Sequence, residues 1–564
     1  MSDLVAGGAP AGTVTTTISA VPRVRGSSAV PTLGAFPYHA ASYGSNELAG
    51  WHPRSRSPDA EVLPSRDKVV ARARDLDRNN GWANGGITRR TDAVIGANIR
   101  LRAKPDWRAM GMSDEDGPIW ADDFGRTVES LWRCWDRDPR MLCDVERHHQ
   151  FGGLVRLAYQ HYVIDGEAGA PIYFIQDRGG IMSTAVLVLD PDRLSNPDGR
   201  SDGKGADGVD IRGGIELDSY GAARAYWVRN GHPSDVGANW DGYKWTRIPR
   251  EGPTGRPLFA HAINKRRAHQ HRSMGLLTSV MGRMKMLDRY DQTELQAAIT
   301  NAIFGLYVTS PFDSDFVREA MAPVDDGESG FDLGNYQSMR VAFHEQADIR
   351  MDGVRLAHLF PNEKIESISA NRPATNFAPF ESAVLGSIAS ALGISREQLS
   401  QDWTGINYSS ARTLLNEIWR GLLADRHLFT QAFCTPIYSA WLEEAVARDL
   451  IEVPGGKMNF YLFRSALCQA EWIGPGRGWV DPKKEAEAAE LRMRLGLTSQ
   501  TDECAEQGRD ADEVRWQRKR DQEQNDRYGL SASEQPQPAS ASAGGGEPDD
   551  PDAADAAEMR GEDA

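Results

Sequence analysis

Residues 276–303 read LLTSVMGRMKMLDRYDQTELQAAITNAI. Leu277, Met281, Met284, Leu287, Leu295, Ala298 and Ile299 recur at three- and four-residue steps. That spacing lines one face of an α-helix. It predicts a single helix from Ser273 to Ala302, about 45 Å long, which on periodicity alone is a buried core helix. The stretch after it, 305–370, turns mixed and β-leaning, with Val354–Phe360 and Lys364–Ser369 as short strands. A second helix then runs from Phe377 to Leu392, with Phe380, Val384, Leu385, Ile388 and Leu392 on one side and Gly393 as its stop.

The segment 395–408, SREQLSQDWTGINY, carries the turn residues Asp402, Gly405 and Asn407 and reads as a loop. A helix of up to about forty residues follows, Ser409 to Arg448, which Pro436 should kink or break because proline has no N–H to donate. Asp481-Pro482 then opens a charged helix in the order of N-cap and N1, and helices at 499–507 and 510–528 complete the series. Upstream, Ser65 reads as the cap of a helix that Asn79, Asn80 and Gly81 stop, and a second begins near Trp82. Helices at 119–136 and 146–161 follow. Ala170–Gln176, Ala185–Leu189, Ala222–Val228 and Tyr243–Ile248 are β-like, and glycine-rich 196–214 is a loop between them.

The chain has 564 residues and a net charge of −16. A simple basic DNA-coating protein is disfavoured. The last 34 residues, Ser531–Ala564, hold nine Asp/Glu and one Arg, a net −8, in low-complexity sequence that reads as a solvated tail. Residues before about 60 are rich in Gly, Ala, Ser, Thr and Pro and read as a flexible arm. No apolar run is long enough to span a membrane. The N-terminus lacks the basic and apolar regions of a signal peptide. Cys134, Cys143, Cys434, Cys468 and Cys504 are scattered, with no CxxC pair, which argues against a disulfide framework or zinc knuckle and fits a reducing compartment.

Catalytic signatures are missing. The chain contains no GxxxxGK[ST] loop, GxGxxG, HExxH or GxSxG. GPGRG at 474–478 lacks the strand-turn-helix context of a phosphate cradle. His148-His149 and the His269/His271 pair read as ordinary exposed or core histidines, since such spacings do not share a helix face. Asp122-Asp123 and Asp325-Asp326 read as solvated charges. One charge feature stands apart. From Gly252 to Leu287 there is no acidic residue, while Arg256, Lys265, Arg266, Arg267, Arg272, Arg283 and Lys285 are basic. Such a run contacts phosphate or an acidic partner, or else is neutralised by acidic neighbours in the fold.

Five colinear segments together resemble the lambda-type portal proteins of tailed phages. They are RDLDRNNGWANGGITRRTDAVIG at 74–96, SVMGRMKMLDRYDQTELQAAITNAIFGLYVTS at 279–310, VRLAHLFPNEKIESISANRPATNFAPFESAVLGSIASALGIS at 354–395, NYSSAR at 407–412, and EWIGPGRGWVDPKKEAEAAELRMRLGLTSQTDECAEQGRDADEV at 471–514. The resemblance implies an α+β portal fold assembling into a ring, usually of twelve subunits, with a central channel at one capsid vertex. It implies a flexible arm (1–64), a wing, helical then β-containing (65–272), a first stem helix (273–302) and a clip (303–376). A second stem helix (377–394), a tunnel loop (395–408), a kinked long helix returning to the wing (409–479), a helical crown (480–530) and a disordered acidic tail (531–564) complete it.

By the same resemblance the protein is not an enzyme, needs no cofactor or metal, and resides in the virion after assembly in the host cytoplasm. Its implied partners are further copies of itself, double-stranded DNA passing through the channel, the terminase large subunit, the major capsid protein and scaffold, and head-completion or tail connector proteins, with no membrane. The implied DNA-facing residues are Gln401, Asp402, Trp403, Thr404, Gly405, Ile406 and Asn407 of the tunnel loop. Arg283, Lys285 and Arg289 of the stem would face the axis or a neighbouring subunit. The competing expectations are a non-channel capsid-vertex or head–tail adaptor and, less consistent with the motifs, a DNA-processing enzyme.

Overall fold

The architecture comes from a computed structural model that describes residues 50–235, 240–302, 377–478 and 482–529, the short segments 306–309, 349–351, 354–356 and 364–367, and isolated positions 40, 48, 338, 341 and 342. The chain divides into Met1–Ser57 and Pro58–Ala564. Most of the expected arm, most of the expected clip and the whole tail 531–564 therefore lie outside the described residues.

The second unit opens with α1 (Pro58–Asn79), earlier than the expected cap at Ser65. Pro58 presets the helical φ at the first position, and Asp59 and Glu61 complement the positive end of the helix dipole in the first turn. Asn80 stops this helix and starts the next. Its side chain accepts the Ala83 N–H at 2.8 Å, capping α2 (Gly81–Val94). After β1 (Arg100–Ala103) come α3 (Asp116–Asp136) and α4 (Phe151–Ile164). The latter starts later than the expected 146, because the Asp144 carboxylate accepts the N–H groups of Glu146, His148 and His149 at 2.9, 2.9 and 3.0 Å and holds them in a turn.

The β-module begins with β2 (Glu167–Phe174) and β3 (Thr184–Val186). Next comes a five-stranded antiparallel sheet in chain order, β4 (Gly203–Lys204), β5 (Asp210–Arg212), β6 (Ile215–Leu217), β7 (Ala223–Arg229) and β8 (Trp245–Pro249). Then β9 (Phe259–Ile263) returns to pair with β2. All four expected strands are present with shifted ends. The expected loop 196–214 contains β4 and β5, strands too short to show a period-two pattern.

The long helix of the opening motif is α5 (Met281–Ala302), not a helix from Ser273. Ser273 and Gly275 hold this stretch against the residues after β9 and the end of α4. Ser273 donates to the Asn264 carbonyl at 2.7 Å, and Gly275 lies so close to Ile164 that a Cβ would sit 1.9 Å from its carbonyl oxygen. A 3₁₀ turn at Leu276–Ser279 leads into the helix.

Beyond it β10 (Leu306–Thr309) and β11 (Ile349–Met351) pair antiparallel with partners further on: β11 with β12 (Val354–Leu356), β10 with β13 (Lys364–Ser367). The helix expected from Phe377 to Leu392 is α6 (Phe377–Leu392), ended by Gly393 at φ +64°. The expected loop 395–408 is corrected, since it contains α7 (Arg396–Ser400). Ser395 and Gln398 form a reciprocal capping box there, leaving 401–407 as the open loop.

Asn407 caps α8 (Tyr408–Ala447), whose 40 residues run unbroken through Pro436. The flanking turns explain why. Phe433, Cys434, Ile437, Tyr438, Trp441 and Leu442 are fully buried, so packing on both sides outweighs one missing backbone bond. Helices α9 (Lys457–Leu462) and α10 (Arg464–Leu467) and strand β14 (Ala470–Ile473) follow, none of them expected; β14 closes the fold by pairing with β1, Arg100 opposite Ile473. Finally α11 (Pro482–Arg494), α12 (Gln500–Glu506) and α13 (Ala511–Tyr528) are the three helices expected after Asp481. The α+β class stands.

The main core centres on Trp132 of α3. Its ring meets Trp441 and Tyr438 of α8, Phe151 of α4 and Trp472 of β14 edge-on, at centroid distances of 5.1, 5.9, 5.0 and 5.9 Å. The buried Glu444 of α8 accepts the Ser183 and Thr184 N–H groups at 2.6 and 2.8 Å, which ties the long helix to β3.

Candidate functional site

Helices α5 and α6 pair as an antiparallel hairpin. Arg283, early in α5, donates to Ser387, late in α6. Tyr290 stacks on Phe377 at 5.3 Å and meets Phe380 edge-on at 5.0 Å. Past Tyr290 the first helix continues for another 12 residues, about 18 Å. Met284 and Leu287 are buried, whereas Met286, Leu295 and Ile299 are exposed. The heptad-like pattern thus splits. Its first half is core, as periodicity predicted, and its second half is bare in the single chain.

The expected stem cations Arg283, Lys285 and Arg289 are all on the exposed side of α5. Lys285 lies 3.7 Å from both Asp75 and Asp288. The hairpin also carries its own acids. Burial, with the Asp288 charge adding to it, raises the Asp291 pKa; burial and then Asp291 raise that of Glu381. No hydrogen bond or ion pair among the described residues joins the stem cations to the loop 401–407.

That loop is exposed from Gln401 to Asn407, with Ile406 half-buried. Gln401 adopts the left-handed conformation, φ 59°, and Gly405 does so at φ +80° with open space where a Cβ would be. Asp402 accepts from the Thr404 hydroxyl and N–H at 2.6 and 3.0 Å, and these bonds hold its carboxyl below the usual range. Trp403 projects an indole that is 42% exposed. The loop hangs between the end of α7 and the capped start of α8, and α6, whose own end is fixed by Arg90, leads into α7. Arg90 donates to the Leu392 carbonyl and pairs with Asp425 of α8 at 2.8 Å and Tyr159 at 3.1 Å. Sequence reasoning missed this anchor; Arg90 sits in a helix whose periodicity gave no hint of its buried partners.

The basic run 252–287 is not one phosphate-binding surface. Arg272 is fully buried on Glu167, Arg267 pairs with Glu61 at 2.6 Å, and Arg256 is partly buried and donates to Thr184 at 3.0 Å. Neutralisation within the fold accounts for these, while Lys265 and Arg266 stay exposed. His271 is likewise a structural histidine, 2.7 Å from Asp59. One trio of side chains among the described residues has metal-capable spacing, Asp190, Asp192 and His232. The Arg74 guanidinium already bridges its two carboxylates at 2.8 and 2.7 Å.

Ion pairs reach from α13 to β1 and α3. Arg100 pairs with Glu513 at 2.8 Å and Arg126 with Asp512 at 3.4 Å. Beside them Glu129 of α3 accepts the Ala103 N–H at 3.0 Å. Burial, helped by Asp510 and Asp512, pushes its carboxyl up to about 7 against that hydrogen bond. A carboxyl raised on folding contributes stability that is complete below its ordinary value and is lost as pH rises through the folded one. The thermal midpoint should therefore fall between pH 5 and 8, by several degrees, and Glu129→Gln should flatten that slope. A scan of both proteins across this range checks it; equal slopes would contradict it.

Residues 44–426 match the phage portal proteins of the lambda family. The portal protein of Escherichia phage N15 is 32% identical over 497 residues, 88% of this chain and 91% of its own length. Portal protein B of Escherichia phage lambda is 31% identical over 498 residues, with the same two shares. A chain in the virion of a native gene transfer agent particle overlays with a TM-score of 0.41 at 13% identity, covering 81% of this chain and 99% of that one. The chain belongs to the lambda family of phage portal proteins, structural components of the virion.

Proposed function

We propose that this chain closes into a ring at one capsid vertex and forms the channel through which the terminase motor packages double-stranded DNA, through which DNA later leaves, and to which the connector proteins of the tail attach. The observation that carries the reading is the α5/α6 hairpin followed by the exposed, capped loop 401–407. It is a stem with apolar residues left bare in one copy, leading to a loop free to reach a central lumen. In this assignment α5 and α6 are the stem, 401–407 the tunnel loop, α11–α13 the crown, and the segments around β10–β13 the clip that meets terminase and connector proteins. Charge suits a conduit. A chain of net −16, repeated around a ring, repels the phosphate backbone, and phosphate affinity would slow passage. Arg283, Lys285 and Arg289 then act as sparse cationic rings on an acidic stem. The role needs no catalysis by the chain itself.

The test is complementation. Procapsids assembled with the purified chain should package DNA when terminase and ATP are supplied, and procapsids lacking it should package none. Equal packaging in both, or DNA-stimulated ATP hydrolysis by the chain alone, would sink the reading.

A further inference from the structure

Helix α13 reaches α3 and β1 with almost no apolar anchor. Ala511 is its one buried residue, and its large rings, Trp516 and Tyr528, are exposed. An element that buries so little apolar surface lies at the low end of local stability and opens before the core does. What crosses the gap is charge, Arg100 on Glu513 and Arg126 on Asp512. The first turn of α13 forms one wall of a cleft of about 370 Å³. The other walls are α3 and the chain from Arg102 to Trp107.

Glu129 of α3 lines that cleft, and its carboxylate is tied only to the Ala103 N–H among the described residues. The cations of the cleft are engaged elsewhere. Arg126 lies between Asp122 at 2.8 Å and Asp512 at 3.4 Å, and Arg515 is on Asp512 at 2.8 Å. Arg102 and Lys104 are on Glu471 at 3.3 and 2.5 Å. Arg133, one turn on, donates to the Glu129 backbone carbonyl at 3.3 Å and adds a favourable charge. Against it, Asp510 and Asp512 act on the carboxyl from α13, and Asp122 lines the same cleft. From α8 the Glu129 charge reaches only the Tyr438 phenol, which is fully buried.

An ionised Glu129 therefore penalises the docked arrangement. Docked, the carboxylate is desolvated and faced by two aspartates; with α13 lifted away it meets water and loses both neighbours.

We infer that α13 is a latch on α3 and β1 that loosens as pH rises from mildly acid to mildly alkaline, with the Glu129 carboxyl as the group that sets it. The inference is independent of the ring reading above. A carboxyl raised to about 7 in the docked state, against an ordinary 4.5, leaves docking complete below the ordinary value. Docking then weakens, by at most about tenfold per pH unit, as pH climbs to the docked value, and changes little beyond it.

The test is hydrogen exchange of the full chain at pH 5 and pH 8, with each rate divided by the intrinsic rate at that pH so that protection alone is compared. Amides of α13 should exchange ahead of those in the buried centre of α8 at both values, and their protection should fall at least tenfold from pH 5 to pH 8. Glu129→Gln keeps an acceptor for the Ala103 N–H but not the charge, and its α13 should lose less than threefold. Asp510→Asn keeps a capping side chain and should fall between the two. Wild-type α13 protection that does not change with pH, or α13 amides that exchange only together with those of α8, would overturn the inference. A Glu129→Gln slope as steep as wild type's would do the same. Should that variant fail to fold by circular dichroism, Asp510→Asn decides alone, and a slope equal to wild type's overturns the latch.

Discussion

Replacing Glu167 with alanine lowers the stability of the fold by about 3–5 kcal/mol, the usual cost of leaving a buried charge without its partner. Glu167 has no exposure at all, and two guanidiniums converge on it. Arg272 Nε lies 2.7 and 2.9 Å from its two oxygens, Arg66 Nε is 3.1 Å away, and His261 approaches at 3.3 Å. Arg66 and Arg272 are 3% and 2% exposed; without the carboxylate Arg66 keeps Asp67 at 3.2 Å and Asp192 at 3.5 Å, whereas Arg272 is left buried with backbone carbonyls alone. Arg272 also donates to the carbonyls of Leu194 and Pro191, each at 2.8 Å, so its loss of order would spread into the chain leading to the five-stranded sheet.

Burial alone would raise the Glu167 carboxyl, but the Arg272 and Arg66 charges and the His261 contact override it and hold the group well below its ordinary value near 4.5. A depressed carboxyl contributes stability that is present above the ordinary value and is lost as pH falls toward the folded one. The wild type should therefore lose this contribution only below about pH 4.5, and the alanine variant should lack it throughout. Chemical denaturation at pH 7 and pH 4 measures both. A variant within 1 kcal/mol of wild type at pH 7 would show that the network contributes little.

Deleting Asp402–Ile406 should reduce DNA packaging or retention to a small fraction of wild type while rings still form. The segment makes its hydrogen bonds within itself and to the adjoining helix ends, and its glycine and left-handed Gln401 show a tight, outward turn. Both ends are fixed without it. The capping box at Ser395 holds α7, and the Asn407 side chain accepts the Ser410 N–H at 2.9 Å to start α8. Ring counts and packaged DNA per head, measured on the same preparation, separate the outcomes. Loss of rings would make the loop a structural tie, and full packaging would remove it from the channel.

Much of this was legible in the sequence where the signal is local. Helix α6 follows from its apolar spacing and its Gly393 stop, and α11 from Asp481-Pro482; the structure adds Ser499 and Asp510 as the side chains that cap α12 and α13. What the sequence hid is long-range. β1 and β14 are four-residue strands some 370 positions apart, each too short to show alternation alone. Pro436 reads as a break, yet buried aromatic packing carries α8 through it. Likewise the run INKRRAHQHR at 263–272 looks like a surface patch, and only the fold shows that Arg272 belongs to an internal ion network. Asp402, Gly405 and Asn407 mark a loop over 395–408, but the capping box that shortens it to 401–407 depends on Gln398 reaching back to the Ser395 N–H at 3.0 Å.

The central claim is a ring with a hole, and the most direct measurement is native mass with negative-stain images of the purified chain. The account predicts closed rings of one size, of about twelve copies, with a stained central channel. Compact dimers that hydrolyse ATP in the presence of DNA would contradict it.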